Sequence, residues 1–111
     1  EDEKIDWNAS ARDVFNKVRA LDPTPGAFTY LEGNVLKIWS TEEVKQGFES
    51  NFDKVGTIIK QDKKNIYILC GNKTVLKVNE LQVSGKKRMP VVNFLSNKKD
   101  YVGTVLGEEN E

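Results

Sequence analysis

Three consecutive cations, Lys86, Lys87 and Arg88, stand just ahead of Pro90 in the run LQVSGKKRMPVVNFL, Leu81 to Leu95. Such side chains break no bonds by themselves. Their chemistry is the neutralisation of anions, above all phosphate, which arginine can grip with two parallel N–H groups. Pro90 suits the first position of a short helix, and a helix start already carries positive partial charge from its unpaired N–H groups. Basic residues there are disfavoured unless an anion belongs in the same place. Met89, a poor N-cap, offers those N–H groups no side-chain acceptor. Water is the bland answer, with the run as a solvated patch of charge. A nucleic-acid phosphate is the sharper one, with Lys86, Lys87 and Arg88 as charge-assisted contacts. Three phosphates neutralised on a duplex give log affinity a slope against log salt of about −2.7, at about −0.9 per contact.

Other chemistries are scarce. The chain has no histidine and one cysteine, Cys70, which excludes a histidine general base, a Ser-His-Asp triad, zinc sites of the usual type and any internal disulfide. Cys70 ends an apolar stretch and reads as a buried, inert thiol. The carboxylates Glu42 and Glu43 are adjacent, but nothing near them in the sequence would raise one pKa over the other. The scattered glycines form no phosphate-binding loop. Aromatics interleaved with lysine, as in VLKIWS around Lys37 and Trp39 and beside Tyr67, read as rim or core packing in a small barrel, with base stacking as the alternative. Trp7 reads as a staple between the first helix and the rest of the fold.

The elements that must carry these residues follow from periodicity. Ser10 with Asp13 resembles a capping box, and Ala11, Val14, Val18 and Leu21 recur at helical spacing, predicting a helix from Ala11 to Leu21. Pro23, Pro25 and Gly26 end it. Five β-branched and aromatic stretches then predict strands at Phe28 to Leu31, Val35 to Thr41, Gly56 to Gln61, Asn65 to Cys70 and Thr74 to Gln82. Gly33 with Asn34, and Gly71 with Asn72, suit tight turns. Glu42 to Lys54 has no clean period and reads as a long surface loop. A short helix is expected from Pro90 to Ser96, then a final edge strand from Val102 to Gly107. The fold class is mainly β: a small OB-like open β-barrel with an N-terminal helix and a short helix after the last barrel strand. Residues 1–4 and 108–111 read as charged, acidic tails around one domain spanning 5–107.

At 111 residues, with 38% apolar and 31% charged, the chain is expected to form one soluble domain. No apolar run nears the roughly 20 residues that cross a bilayer, so no membrane is expected. The acidic start EDEK does not resemble a secretory signal, which with the lone cysteine points to a reducing, cytoplasmic setting. Net charge is zero but segregated. Lys54 to Lys99 holds eleven bases against two acids, while the first 53 residues hold six bases against eleven acids. A polyanion would meet the middle of this chain.

Several of these segments together resemble one family. IDWNASARDVFNKVRALDPTPGAFT, VLKIW, VGTII, LKVNELQVSGKKRM and VGTVLG, in that order, resemble the C-terminal domain of methionyl-tRNA formyltransferases across Ile5 to Gly107. The most specific pieces are the RALDPTPGAFT corner and the LQVSGKKRM run. The chain departs from the family at Thr24, where an aromatic often lies between the two prolines, and at Val55, where proline often precedes the G-T-I strand.

The resemblance implies a tRNA-binding domain joined to an N-terminal catalytic domain that uses 10-formyltetrahydrofolate and an Asn, His and Asp set. That domain is absent from this sequence, so the chain itself is expected to need no cofactor, bind no metal and catalyse nothing. The expected partners are initiator methionyl-tRNA, held through its backbone during translation initiation, and the catalytic domain; the expected state is a monomer. Lys86, Lys87 and Arg88 would centre the contact, Lys37, Lys60 and Lys77 are candidate additions, and Lys98 with Lys99 would extend it. The rival expectation is a structural module that packs on the catalytic domain without touching RNA.

Overall fold

The computed structural model describes residues 3–45 and 51–107. Helix α1 spans Ala11–Ala20, followed by strands β1 (Ala27–Leu31), β2 (Asn34–Val44), β3 (Ile58–Gln61), β4 (Ile66–Cys70), β5 (Thr74–Val83) and β6 (Met89–Pro90), then helix α2 (Val91–Phe94) and a 3₁₀ turn at Leu95–Asn97. The Ser10 side chain caps α1 by accepting from the Asp13 N–H at 3.2 Å, as its spacing predicts, and Thr74 Oγ1 accepts from the Ala11 N–H at 2.8 Å. Ala11, Val14 and Val18 are buried, and α1 lies against β2 and β5.

The antiparallel strands run in the order β1-β2-β5-β4-β3, with β6 added to β5, and the sheet does not close on itself. Its open seam is bridged by residues 104–107. On one side, the N–H groups of Ile58 and Leu106 reach Thr104 O and Gly56 O, both at 2.8 Å; on the other, the Gly107 N–H reaches Tyr30 O at 2.9 Å. Trp7 fills the seam, 5% exposed, with Nε1 donating to Thr29 Oγ1 at 2.9 Å. Barrel and helix share one core, in which Leu36, Ile38, Ile58, Ile66, Ile68, Leu76, Val78 and Leu81 are nearly fully buried.

Several boundaries differ from the sequence reading. Glu42 to Val44, expected in a loop, extend β2 because β5 pairs with them through Lys77, Leu76 and Val75; residues 46–50 of that expected loop lie outside the described residues. Val102 to Gly107 is not a strand but two turns with a single bridge, Thr57 to Val105. The β1–β2 turn uses Glu32 and Gly33, both at positive φ, and the β4–β5 turn uses Asn72 and Lys73. Gly71 is needed for closeness instead, since a Cβ there would overlap the Asn8 carbonyl. Glu3 and Lys4, expected in a tail, run beside β1, with the Phe28 N–H donating to Glu3 O at 3.0 Å.

Candidate nucleic-acid interface

Cross-strand register decides which lysines meet. Residues directly opposite in an antiparallel pair point to the same face. Lys77 of β5 lies opposite Glu42 of β2 and Tyr67 of β4, and Tyr67 lies opposite Lys60 of β3. These four form one row across the outer face of the sheet. Lys77 Nζ reaches Glu42 Oε1 at 3.7 Å, and Lys60 Nζ lies 5.4 Å from the Tyr67 ring centroid. The Tyr67 hydroxyl donates to Asp62 at 3.0 Å. Burial alone would raise the Asp62 carboxyl, but hydrogen bonds from Lys64, Tyr67 and Asn65 and the nearby charge of Lys60 bring it below its ordinary value. Tyr67 is pushed up, by burial first and then by its bond to Asp62.

Farther along the sheet, Lys37 lies opposite Gln82. Gln82 links the strand to the basic run. Its Oε1 accepts from Trp39 Nε1 at 2.9 Å, and its Nε2 donates to the Lys86 carbonyl at 2.8 Å. Lys86 sits in the turn after β5, its N–H donating to Val83 O at 2.9 Å. Among the described residues, Lys37, Lys86 and Lys87 make no ion pair, and Lys86 and Lys87 are exposed.

Arg88 behaves differently from its two neighbours. Its Nε lies 3.0 Å from Glu80 Oε2, and its Nη2 lies 3.4 Å from Asp22 Oδ2. These carboxylates, Glu80 first, push the guanidinium above its ordinary value. The Arg88 guanidinium also covers the Trp39 ring at 4.5 Å, while Lys37 Nζ lies 5.9 Å from the same ring. Trp39 is 7% exposed, so it is packed under cations and presents no stacking surface to a base. Lys99 is tied to Glu32 at 3.0 Å, which raises its pKa, and lies over Tyr101.

The helix-start argument for a phosphate falls away. Pro90 is the N-cap of α2, with φ −62° and ψ 149°, and belongs to the β6 pairing through Glu80. The helix has four residues, too short to sum a useful dipole. What the basic run offers is therefore side-chain charge on a turn, with Lys86 and Lys87 outward and Arg88 folded back onto Trp39. Glu80, Asp22 and Gln82 were missed by sequence reasoning. The register of Lys37 with Gln82 is the signal that would have found the last of them.

Cys70 is buried with its thiol pushed up to about 12 by desolvation, and among the described residues no group of three His, Cys, Asp or Glu side chains could hold a metal. No helix of the described residues is long and apolar enough to cross a membrane.

The family model for formyl transferase, C-terminal domain, matches residues 1–99. The chain belongs to that family. Among curated relatives, the methionyl-tRNA formyltransferase of Bacillus velezensis is 40% identical over 111 residues, all of this chain and 34% of the relative. Methionyl-tRNA formyltransferases of two Bacillus cereus strains, AH187 and Q1, are each 43% identical over 108 residues, 97% of this chain and 33% of theirs. The chain thus spans about a third of the length of these relatives. For this formyl transferase domain, the RALDPTPGAFT corner and the KKR run are adjacent in space, because Asp22 of the first holds Arg88 of the second.

Proposed function

We propose that this domain supplies sequence-independent affinity for tRNA to a methionyl-tRNA formyltransferase, holding initiator methionyl-tRNA by its backbone. A catalytic domain outside this sequence would then transfer the formyl group from 10-formyltetrahydrofolate during translation initiation in the cytoplasm. The domain itself acts as a monomer and performs no chemistry. The observation that supports this reading best is the exposed Lys86–Lys87 turn, which among the described residues makes no ion pair and is joined to Lys37 through Gln82. Phosphates meet Lys86, Lys87 and Lys37 first. Arg88 sets the shape of the turn, and Lys60 and Lys77 lie farther along the same sheet face, next to Asp62 and Glu42.

The relatives' name supports tRNA as the polyanion. Titration of the chain with tRNA at two salt concentrations tests the reading. Dissociation constants on the order of 10⁻⁴ to 10⁻⁶ M, strengthening steeply as salt falls, are expected. Affinity indifferent to salt, or to alanine at Lys37, Lys86 and Lys87 together, would defeat it.

One observation favours a second reading. Arg88, Lys77 and Lys99 are all paired with acids, which lowers the net charge of the basic half and suits a module built to pack against the catalytic domain. Tight binding of that domain without any binding of tRNA would select it.

A further inference from the structure

A cleft of about 360 Å³ opens between the β1–β2 turn, the end of β5, Lys86 and α2. Its floor is apolar, formed by Leu36, Met89 and Phe94, and its mouth carries Asn34, Asn93 and Lys86. Phe94 stacks on Tyr101 with ring centroids 5.0 Å apart and planes 25° from parallel. Both rings line the cleft; Tyr101 is 4% exposed and Phe94 half-buried, so Phe94 is the more accessible member of the stacked pair. Asn34 and Asn93 are exposed, and among the described residues their side-chain amides have no hydrogen-bond partner.

We infer that this cleft receives one unpaired nucleobase of the bound RNA, with the phosphate of that nucleotide at Lys86. The inference rests on the RNA-binding reading and deepens it. A volume of this size, lined by apolar and polar groups in similar measure, suits a small planar ligand with apolar faces and a polar edge. Unpaired bases in RNA are held by stacking on aromatic faces and by hydrogen bonds to their edges. An amide supplies both a donor and an acceptor, which is what a base edge requires. Lys86 lines the cleft and also belongs to the exposed basic turn, so a strand crossing that turn would bring a base to the mouth. Glu32, the acid among the lining residues, is already paired with Lys99 at 3.0 Å.

The test is fluorescence anisotropy of the 111-residue chain with labelled single-stranded pentaribonucleotides whose central nucleotide either carries uracil or adenine or is abasic. Whole tRNA is titrated in parallel. The chain should prefer the base-carrying strands over the abasic one by at least about fivefold, the lower end for one stacked base. The Asn34→Ala/Asn93→Ala variant, checked for an unchanged melting temperature, should narrow that preference to the share that stacking on Phe94 supplies and lose any difference between uracil and adenine, while keeping the salt dependence of tRNA binding. In an amide NMR titration, the Phe94 and Asn93 signals should move with the base-carrying strands and stay still with the abasic one. Equal binding of base-carrying and abasic strands, alongside salt-dependent binding of tRNA, would overturn the cleft assignment and leave the phosphate reading standing. Signals of the cleft that move on adding the catalytic domain but not RNA would assign it to a protein contact and overturn it too. Failure of tRNA itself to bind would reject the functional reading, and the cleft assignment with it.

Discussion

Arg88 lies over Trp39 with its guanidinium carbon 4.5 Å from the ring centroid, and the same guanidinium is held by Glu80 and Asp22. One side chain thereby joins the end of α1, the middle of β2 and the strand β5. The triplet that looks uniform in sequence is split by this arrangement into one internal tie and two outward lysines.

Arg88→Ala should therefore act mainly on stability. It removes a cation–π contact and two partly exposed ion pairs, together worth about 1–2 kcal/mol after allowance for solvent screening. Thermal melting checks this. Arg88→Lys should recover only part of the loss, since an ammonium cannot lie flat on the indole and reach two carboxylates.

Gly26→Ala should cost more, about 2–4 kcal/mol. Its φ is +91°, which L side chains rarely adopt, and an added Cβ would lie 2.6 Å from the Trp39 ring. Because the clash falls on Trp39, urea denaturation should show a lower midpoint, and native tryptophan fluorescence should change as the ring shifts from Lys37 and Arg88.

At the seam of the barrel, Trp7→Phe keeps the apolar ring but deprives the fully buried Thr29 hydroxyl of its donor. A loss of about 1–3 kcal/mol is expected. Replacing both, as Trp7→Phe with Thr29→Val, should restore part of it, and a double-mutant cycle measures the coupling.

The Cys70 thiol sits above its ordinary value of 9.0, at about 12, because burial disfavours the thiolate. The folded chain thus keeps a proton that the unfolded chain releases. Stability should fall as pH rises past about 9. At pH 8 the native thiol should resist alkylation and react only after unfolding, which a maleimide time course with and without urea would show.

Much of the fold was legible in the sequence, because helix α1 and the five long strands each bury a face at their own period: Ala11, Val14 and Val18 in the helix, Leu36 and Ile38 or Leu76 and Val78 in the strands. The far end of β2 was not legible, since Glu42 and Glu43 look like loop residues until β5 supplies their partners. Nor was the closing of the seam, for Thr104 to Gly107 bond as irregular backbone with no pattern of side chains. At the site, the cations could be counted, but their pairing depends on register and on residues far away in sequence. Asp22 meets Arg88 across 66 positions, and no local rule connects them. Trp39 packs as the rim or core reading has it, at 7% exposed, whereas Phe94, a ring that lines a cleft, carries no local signal in the sequence.

The central claim is that the Lys86–Lys87 turn, with Lys37 beside it, carries phosphate contacts. It is tested most directly by the salt dependence of tRNA binding to the wild-type chain and to the Lys86→Ala/Lys87→Ala variant. Loss of two contacts should flatten the slope of log affinity against log salt by about 1.8, and weaken binding alike for every tRNA tried. A variant whose slope and affinity match the wild type would contradict the account.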